Sequence, residues 1–355
     1  MDIKKRIVEI AFEMGFDAVG FSGADALENS NNNFLVWRDK GYAADMNYLL
    51  RENPVNAKPK ALVAEAKSII SLLVNYYTAA SEDPGNNFGR VSAYAVGVDY
   101  HKVLKKKIRE FQSILTKEIG DNFISRGFSD SVPLLEKSFA RNSGLGFFGK
   151  NTLIINRPLG SYFFIAEIIS NLEIAADSEI NGTCGKCIRC IDICPTNALD
   201  PTLEIGKPVL DSRLCISYLT IENKNSIPDS LRKKIGYWIF GCDLCQIACP
   251  YNKKIKETSW DEFKPISGVG HWIRLKDVLS IKSEAEFRYK FSGTPLTRPK
   301  RRGLLRNACV VAGNRQSEEA LPYLIDLSKN EEDPVIREHA SWALTEYGML
   351  PVSSF

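Results

Sequence analysis

An α+β multidomain protein is predicted by three patterns in this sequence of 355 residues. Helical and strand-like periodicities alternate over residues 1–173, eight of the nine cysteines fall between residues 184 and 249, and short paired helices fill the C-terminal stretch. The expected architecture is an α/β N-terminal domain over 1–173, a cysteine-rich module over 174–265 and a HEAT-like α-helical repeat over 266–355. Apolar residues make up 44% of the chain and charged residues 25%, enough of each to close several cores and keep the surface wet. The net charge of +3 neither requires nor excludes a nucleic-acid partner.

In the N-terminal domain the apolar spacing predicts a helix over 3–14 that ends at Gly15, a strand over 17–21, a helix over 34–50 and strands over 69–77 and 91–96. Val103, Leu104, Ile108, Phe111, Leu115 and Ile119 form one stripe of a long helix over 100–119. Pro133 is placed to open a further helix, and residues 152–156 and 162–169 read as a hairpin around Arg157-Pro158-Leu159-Gly160. In the C-terminal stretch a helix over 303–312 is expected to stop at Gly313-Asn314. A second follows over 318–328, and a third is capped by Asp333-Pro334 and runs to Tyr347.

The cysteines carry the most specific signal. Cys184-x-x-Cys187-x-x-Cys190-x-x-x-Cys194-Pro195 and Cys242-x-x-Cys245-x-x-x-Cys249-Pro250 have the spacing of a two-cluster ferredoxin, in which the cysteine of each C-x-x-x-C-P step crosses to the other cluster. The second block lacks its first cysteine, since Ile239 stands three before Cys242, and Cys215 is the spare thiol nearby. The ligand count then closes with Cys184, Cys187, Cys190 and Cys249 on one 4Fe-4S cluster and Cys194, Cys215, Cys242 and Cys245 on the other. Structural zinc and disulfides are the competing readings. Zinc sites rarely use the tight four-cysteine run, and disulfides need an oxidising compartment, whereas Met1-Asp2-Ile3-Lys4-Lys5 opens a polar helix without a signal-peptide core. Cys309, among Leu304, Leu305 and Ala308 at helical spacing, reads as a small buried hydrophobe.

Gly144-Leu145-Gly146-Phe147-Phe148-Gly149-Lys150 imitates nucleotide-binding loops, but it lies between a helix and a strand rather than the reverse, and Asn151 stands where a P-loop needs Ser or Thr. Basic residues concentrate in 102–109, 232–234 and 298–306, the last of which could offer charge to a phosphate backbone. No apolar run approaches the roughly 20 residues that span a bilayer, so the expected location is the cytoplasm.

Taken together these segments resemble the epoxyqueuosine reductases, cobalamin-dependent iron–sulfur enzymes of tRNA modification. The resemblance covers essentially the whole chain. It is carried by Met46-x-Tyr48-Leu49, Asp130-Ser131-x-Pro133-x-Leu135-Glu136, the Gly144–Asn151 segment, Gly160-Ser161-x-Phe163-Phe164, both cysteine blocks, Cys215-Ile216-Ser217-Tyr218-Leu219-Thr220 and Lys300-Arg301-Arg302-Gly303-Leu304-Leu305-Arg306-Asn307. The chain departs from the pattern at Asn56, where a basic residue is common.

The resemblance implies cobalamin beside the two clusters, a tRNA substrate carrying epoxyqueuosine, a low-potential electron donor such as flavodoxin or ferredoxin, and a monomer. Asp130 is implied to be the proton donor, with its carboxyl raised by burial beside the corrin. Contacts to cobalamin are expected from Asp130, Lys150, Asn151, Thr152, Ile154, Ser161, Ser217 and Tyr218, and contacts to tRNA from Thr220, Arg298, Lys300, Arg301, Arg302 and Arg306. Asp99-x-His101 begins a cobalamin-ligand motif, but Leu104 stands in place of its glycine, so His101 reads as a helix-start residue and the cobalt as lacking a histidine ligand. The competing class is a small-molecule reductase with the same cofactors, related to the reductive dehalogenases.

Overall fold

A computed structural model describes residues 2–50, 58–200 and 209–349; Asn56 lies outside them. The centre of the N-terminal region is the strand Ser68–Asn75, buried at every position. It pairs antiparallel with Ala18–Gly23 on one side and Phe163–Ser170 on the other, and the latter pairs antiparallel with Ser125–Phe128. Because each side chain along a strand points to the opposite face from the last, Ile70, Leu72 and Val74 meet the helices Ile3–Glu13 and Tyr100–Ile119 through Ile7, Ile10, Leu104, Ile108 and Phe111. Ile69 and Leu73 belong to clusters on the other face, which hold Phe139 and Ala140 of the helix Glu136–Asn142. With no parallel pair in this sheet the region is α+β, which corrects the α/β expectation.

Several elements differ from their sequence reading for identifiable reasons. The helix expected over 34–50 is two helices, Glu28–Asp39 and Asn47–Leu50, separated where Gly41 and Ala44 take φ of +75° and +50°. The strand expected over 91–96 is Phe88–Val91, because Ser92 and Ala93 turn away to donate to the Asp243 carboxylate and a 3₁₀ turn, Ala93–Ala95, follows. Pro133 precedes the helix by a turn rather than opening it. The tight turn over 157–160 is present, with Asn156 N–H donating to Gly160 O at 2.8 Å. Its arms separate, however: Ile154–Ile155 pairs with Phe147–Phe148 while Phe163–Ser170 joins the main sheet.

A second sheet joins distant segments. Phe88–Val91 lies between Trp238–Phe240, parallel to it, and Trp272–Arg274, antiparallel. Against it packs the helix Lys300–Arg315, buried at every residue from Gly303 to Gly313. The C-terminal stretch therefore shares one core, from Ile273 to Leu344, with Val91, Val96, Leu219, Trp238 and Phe240. The helix runs through Gly313 to Arg315 and ends at Gln316, φ +51°. Gly313 is not a stop but a crossing point, since a Cβ there would stand 3.0 Å from Ala343 Cα of the helix Pro334–Glu346. Between them lies Leu321–Asn330, preceded by the 3₁₀ turn Glu318–Ala320, and Asp333 caps the last helix through Val335 N–H at 2.9 Å.

Arg306 is fully buried in this core. It donates to the carbonyls of Leu219, Asn223 and Asn225 at 2.6–2.7 Å and to Asn307 Oδ1. Arg306→Ala would leave three buried carbonyls without donors, so it should lower stability by about 3 kcal/mol or more, measured by urea denaturation, whereas Lys300→Ala should change it by less than about 0.5 kcal/mol.

Candidate active site

The cysteine blocks are brought together by two short helices in mutual contact, Arg189–Asp192 and Leu244–Ile247. Cys184, Cys187, Cys190 and Cys249 line one cavity of about 40 Å³ together with Lys150, Asn151 and Tyr251. Lys150 N–H points at Cys184 Sγ at 3.4 Å, and the buried Nδ2 of Asn151 has no partner in the protein. Four thiols and spare N–H donors around one cavity suit a cluster whose sulfurs accept hydrogen bonds. Among the described residues no group of three or more His, Cys, Asp or Glu is drawn together at single-ion spacing.

On the other side, burial raises the thiols of Cys215, Cys242 and Cys245, and the charge of Cys215 acts on both of the others. Cys194 acts on Cys215 and Cys245, which brings the remaining four cysteines of the sequence assignment into one neighbourhood. Thiols held this high become thiolates when a metal replaces the proton. Cys309 is buried among apolar side chains, as expected.

A second cavity, of about 770 Å³, lies between the N-terminal sheet and residues 209–212. Phe34, Trp37, Leu134, Leu135, Phe148 and Leu210 supply its apolar lining, and Ser30, Asn33, Asp130, Glu136, Thr152 and Ser212 supply polar groups. Its size and mixed lining fit a large cofactor with an apolar body and polar periphery. None of the three histidines lines it. His271 bonds Thr78 at 3.0 Å, and His339 lies between Ile227 N–H and Val335 O.

Asp130 sits on this wall at φ +50°, with its side chain 70% exposed. Tyr100 O–H donates to its Oδ2 at 2.7 Å, and His101 Nε2 stands 3.7 Å from the same oxygen, an ion-pair distance longer than a hydrogen bond. Its own N–H donates to Glu136 Oε1 at 2.7 Å. Burial alone would raise the Asp130 carboxyl, but His101 and Tyr100, with Lys137 beyond them, hold it below the ordinary carboxylate range. The expected upward shift is thereby reversed. Asp130 and then Asp99 raise His101 to about 9, and burial followed by the Asp130 charge pushes Glu136 up to about 8.

His101 does stand at the start of a helix, with Asp99 as its N-cap, but its ring also bonds Asp99 Oδ1 at 2.9 Å and lies beside Asp130 behind the cavity wall. Sequence reading missed this role together with those of Tyr100 and Glu136. The pair Asp99-x-His101 was the only local signal.

The remaining site residues divide. Thr152 lines the large cavity at φ +64°, whereas Lys150 and Asn151 line the cysteine cavity instead. Ile154 is 3% exposed in the apolar core, and Ser161 is 5% exposed and bonded to Gln246 and Asn252. Tyr218 is buried with its hydroxyl on Asp45 N–H, while Ser217 is half-buried beside Cys215.

Arg298, over the Tyr48 ring at 5.7 Å and paired with Glu222 at 2.9 Å, is close enough for Asp130 to act on it. Lys300 and Arg302 are exposed, Arg302 beside Asp333 at 2.9 Å. Three tRNA expectations are corrected. Arg306 is consumed by backbone carbonyls, and Thr220 is fully buried, donating to Ile216 O and accepting from Gly241 N–H. Arg301 is largely buried against Glu331 at 2.6 Å.

Comparison with known proteins agrees with this geometry. Residues 183–252 match the model of the 4Fe-4S double cluster binding domain, and residues 57–131 match that of "Epoxyqueuosine reductase QueG, DUF1730". The epoxyqueuosine reductase of Leadbetterella byssophila is 41% identical over 87% of this chain and 98% of its own. That of Xanthomonas campestris is 34% identical over 98% and 97%, and that of Escherichia coli 34% over 97% and 89%. A crystal structure of epoxyqueuosine reductase with an epoxyqueuosine-modified tRNA-Tyr stem loop superposes with a TM-score of 0.88 at 30% identity, covering 98% of this chain and 90% of that one. The Bacillus subtilis enzyme, with its catalytic aspartate loop swung out of the active site, superposes with a TM-score of 0.87 at 30% identity over 97% and 90%. With full-length relatives of this identity and a double-cluster domain around its cysteines, the chain belongs to the epoxyqueuosine reductase family.

Proposed function

We propose that this chain reduces epoxyqueuosine to queuosine at the wobble position of tRNA, with cobalamin in the large cavity, a 4Fe-4S cluster on each set of four cysteines and Asp130 as proton donor. The observation that carries the reading is an exposed aspartate on the wall of a cavity of about 770 Å³, with Cys245 near enough to act on Lys137 of the same wall. Converting an oxirane to an alkene takes two electrons and two protons and releases water. Cobalamin bound in the cavity would supply the two-electron reductant, and the clusters would deliver electrons one at a time.

The chain's own residues do the rest. Phe34, Trp37, Leu134, Phe148 and Leu210 would hold the corrin by its apolar surface, with Thr152, Ser30 and Asn33 available to its polar groups. Ser217 and Tyr218 support the cofactor side of the Cys215 cluster. Asp130, oriented by Tyr100 and by its N–H on Glu136, would give its proton to the reacting oxygen. Residues 1–173 carry most of the cofactor wall, 174–265 the clusters and 266–355 a HEAT-like helical repeat toward the tRNA. Arg298 lies at the active-site mouth, and Lys300 and Arg302 offer charge to phosphates. The tRNA reading is supported by the relative solved with a modified stem loop. Electrons come from a low-potential carrier such as flavodoxin or ferredoxin, and the enzyme acts as a cytoplasmic monomer. Among the described residues no helix is long and apolar enough to cross a membrane.

Anaerobic reconstitution should load about eight irons per chain; Cys215→Ala should lose roughly half of them and Cys309→Ala none, as read by iron analysis. Equal iron in wild type and Cys215→Ala would refute the ligand set. Asp130→Asn should slow turnover by about 10²–10⁴ while the cobalamin absorption spectrum of the loaded protein is retained. For tRNA, replacing Lys300 and Arg302 by Gln should flatten the slope of log Kd against log salt by about one unit for each phosphate that is no longer neutralised. Equal turnover of a free epoxide nucleoside and the intact tRNA would favour a small-molecule reductase instead.

A further inference from the structure

Each oxirane reduced consumes two protons, yet Asp130 holds one at most, and its hydrogen-bond partners favour the carboxylate. A second proton must therefore reach it, from water or from a neighbouring group. We propose that His101, clamped by Asp99, is the positioning residue that reloads Asp130 with protons during turnover; this rests on the assignment of Asp130 as proton donor.

The geometry is a continuous row. Asp99 Oδ1 holds His101 Nδ1 at 2.9 Å and also accepts His101 N–H at 3.1 Å, so both the ring and the helix start are fixed by one carboxylate. The ring stacks on Tyr100 with centroids 4.1 Å apart, which leaves Nε2 pointing at Asp130 Oδ2 across 3.7 Å. Gaps of this size are common before substrate closes a site. The His101 side chain is 45% exposed and that of Asp130 70%, so water reaches Nε2 and replaces the proton it gives up.

Every charged neighbour has a distinct place in this arrangement. Asp99 and Asp130 face the ring directly, Lys102 acts on Asp99, and Lys137 acts on Asp130 from the helix Glu136–Asn142. Glu136 is the rival source, since it too keeps its proton at neutral pH. Its Oε1, however, accepts the Asp130 backbone N–H, so it anchors the loop rather than the carboxyl. Tyr48 and Arg298 reach Asp130 from the far side of the mouth.

The step balances. Asp130 O–H gives its proton to the oxirane oxygen as the carbon–oxygen bond breaks with the electron pair of the reductant. As the second carbon–oxygen bond breaks, the departing hydroxyl takes a proton from Asp130 while Asp130 takes the Nε2 proton of His101, so the proton moves through the carboxyl to the oxygen, which leaves as water, and neutral His101 regains one from solvent. Because His101 titrates at about 9, above an ordinary histidine, it stays loaded at neutral pH and empties as pH rises through that value.

With only three histidines in the chain, imidazole NMR of the cluster- and cobalamin-loaded enzyme resolves His101 directly. It should titrate near 9 in the wild type and fall toward the ordinary histidine value in both Asp99→Asn and Asp130→Asn. His101→Gln should slow turnover about tenfold or more at pH 8 and abolish the alkaline limb of the pH profile, with iron content and cobalamin spectrum unchanged. A His101 that titrates at the ordinary value, or superimposable pH profiles for wild type and His101→Gln, would overturn the relay. If Asp130→Asn is inactive while His101→Gln is normal, only the relay fails; if Asp130→Asn retains full turnover, the proton-donor assignment fails first.

Discussion

The placement of the chemical groups in this protein depends on one buried carboxylate, Asp243. It lies between Cys242 and Leu244, 3% exposed, and accepts Ser92 O–H, Ala93 N–H at 2.7 Å and Gln246 Nε2 at 3.3 Å. Burial raises its pKa, and the donors from Ser92 and Ala93 oppose that rise. Gln246 continues the network to Ser161 at 2.9 Å, and Asn252 closes it on Ser161 and the Gln246 carbonyl. The second cysteine block is thus tied to both sheets, at Ser92 and Ala93 after the strand Phe88–Val91 and at Ser161 ahead of the strand Phe163–Ser170. A satisfied buried network of this kind rigidifies its surroundings, which fixes the cysteine block relative to both sheets.

The same principle divides the basic segment of the helix Lys300–Arg315. A guanidinium has five donors and never loses its charge, so it serves equally as a surface charge or as a buried cross-link for carbonyls. Arg306 and Asn307 take the second role. Asn307 donates to Thr220 O and Ile239 O at 2.7 and 2.9 Å, and together they bind the helix to the segment that follows Cys215 and to the second sheet. Arg298, Lys300 and Arg302, near the helix start, keep their side chains at the surface. The segment passes from surface charge to internal scaffold within nine residues because the helix starts at the surface and is packed on all sides from Gly303 onward.

Asp130 is placed by backbone geometry and hydrogen bonds rather than by burial. Its backbone sits in the left-handed region, which a non-glycine residue adopts only when the surroundings impose it. Here Glu136 holds the N–H and Tyr100 the carboxyl. The contacts that orient the group also stabilise its anion.

Much of this was legible in the sequence. The long helix Tyr100–Ile119 follows its apolar stripe at both ends, the cap at Asp333 is where its residue type places it, and the cysteine spacing defines an iron–sulfur module, because caps, stripes and ligand loops are local and their physics acts within a few residues. The tertiary structure alone decided what depends on distant partners. Ser92 leaves its strand for Asp243, Gly313 passes inside a helix because Ala343 crosses there, Arg306 turns inward to three carbonyls, and His101 meets Asp130 across 29 positions of chain. A side chain's type specifies which bonds it is able to make; which of them it makes is fixed by the groups that packing brings within reach.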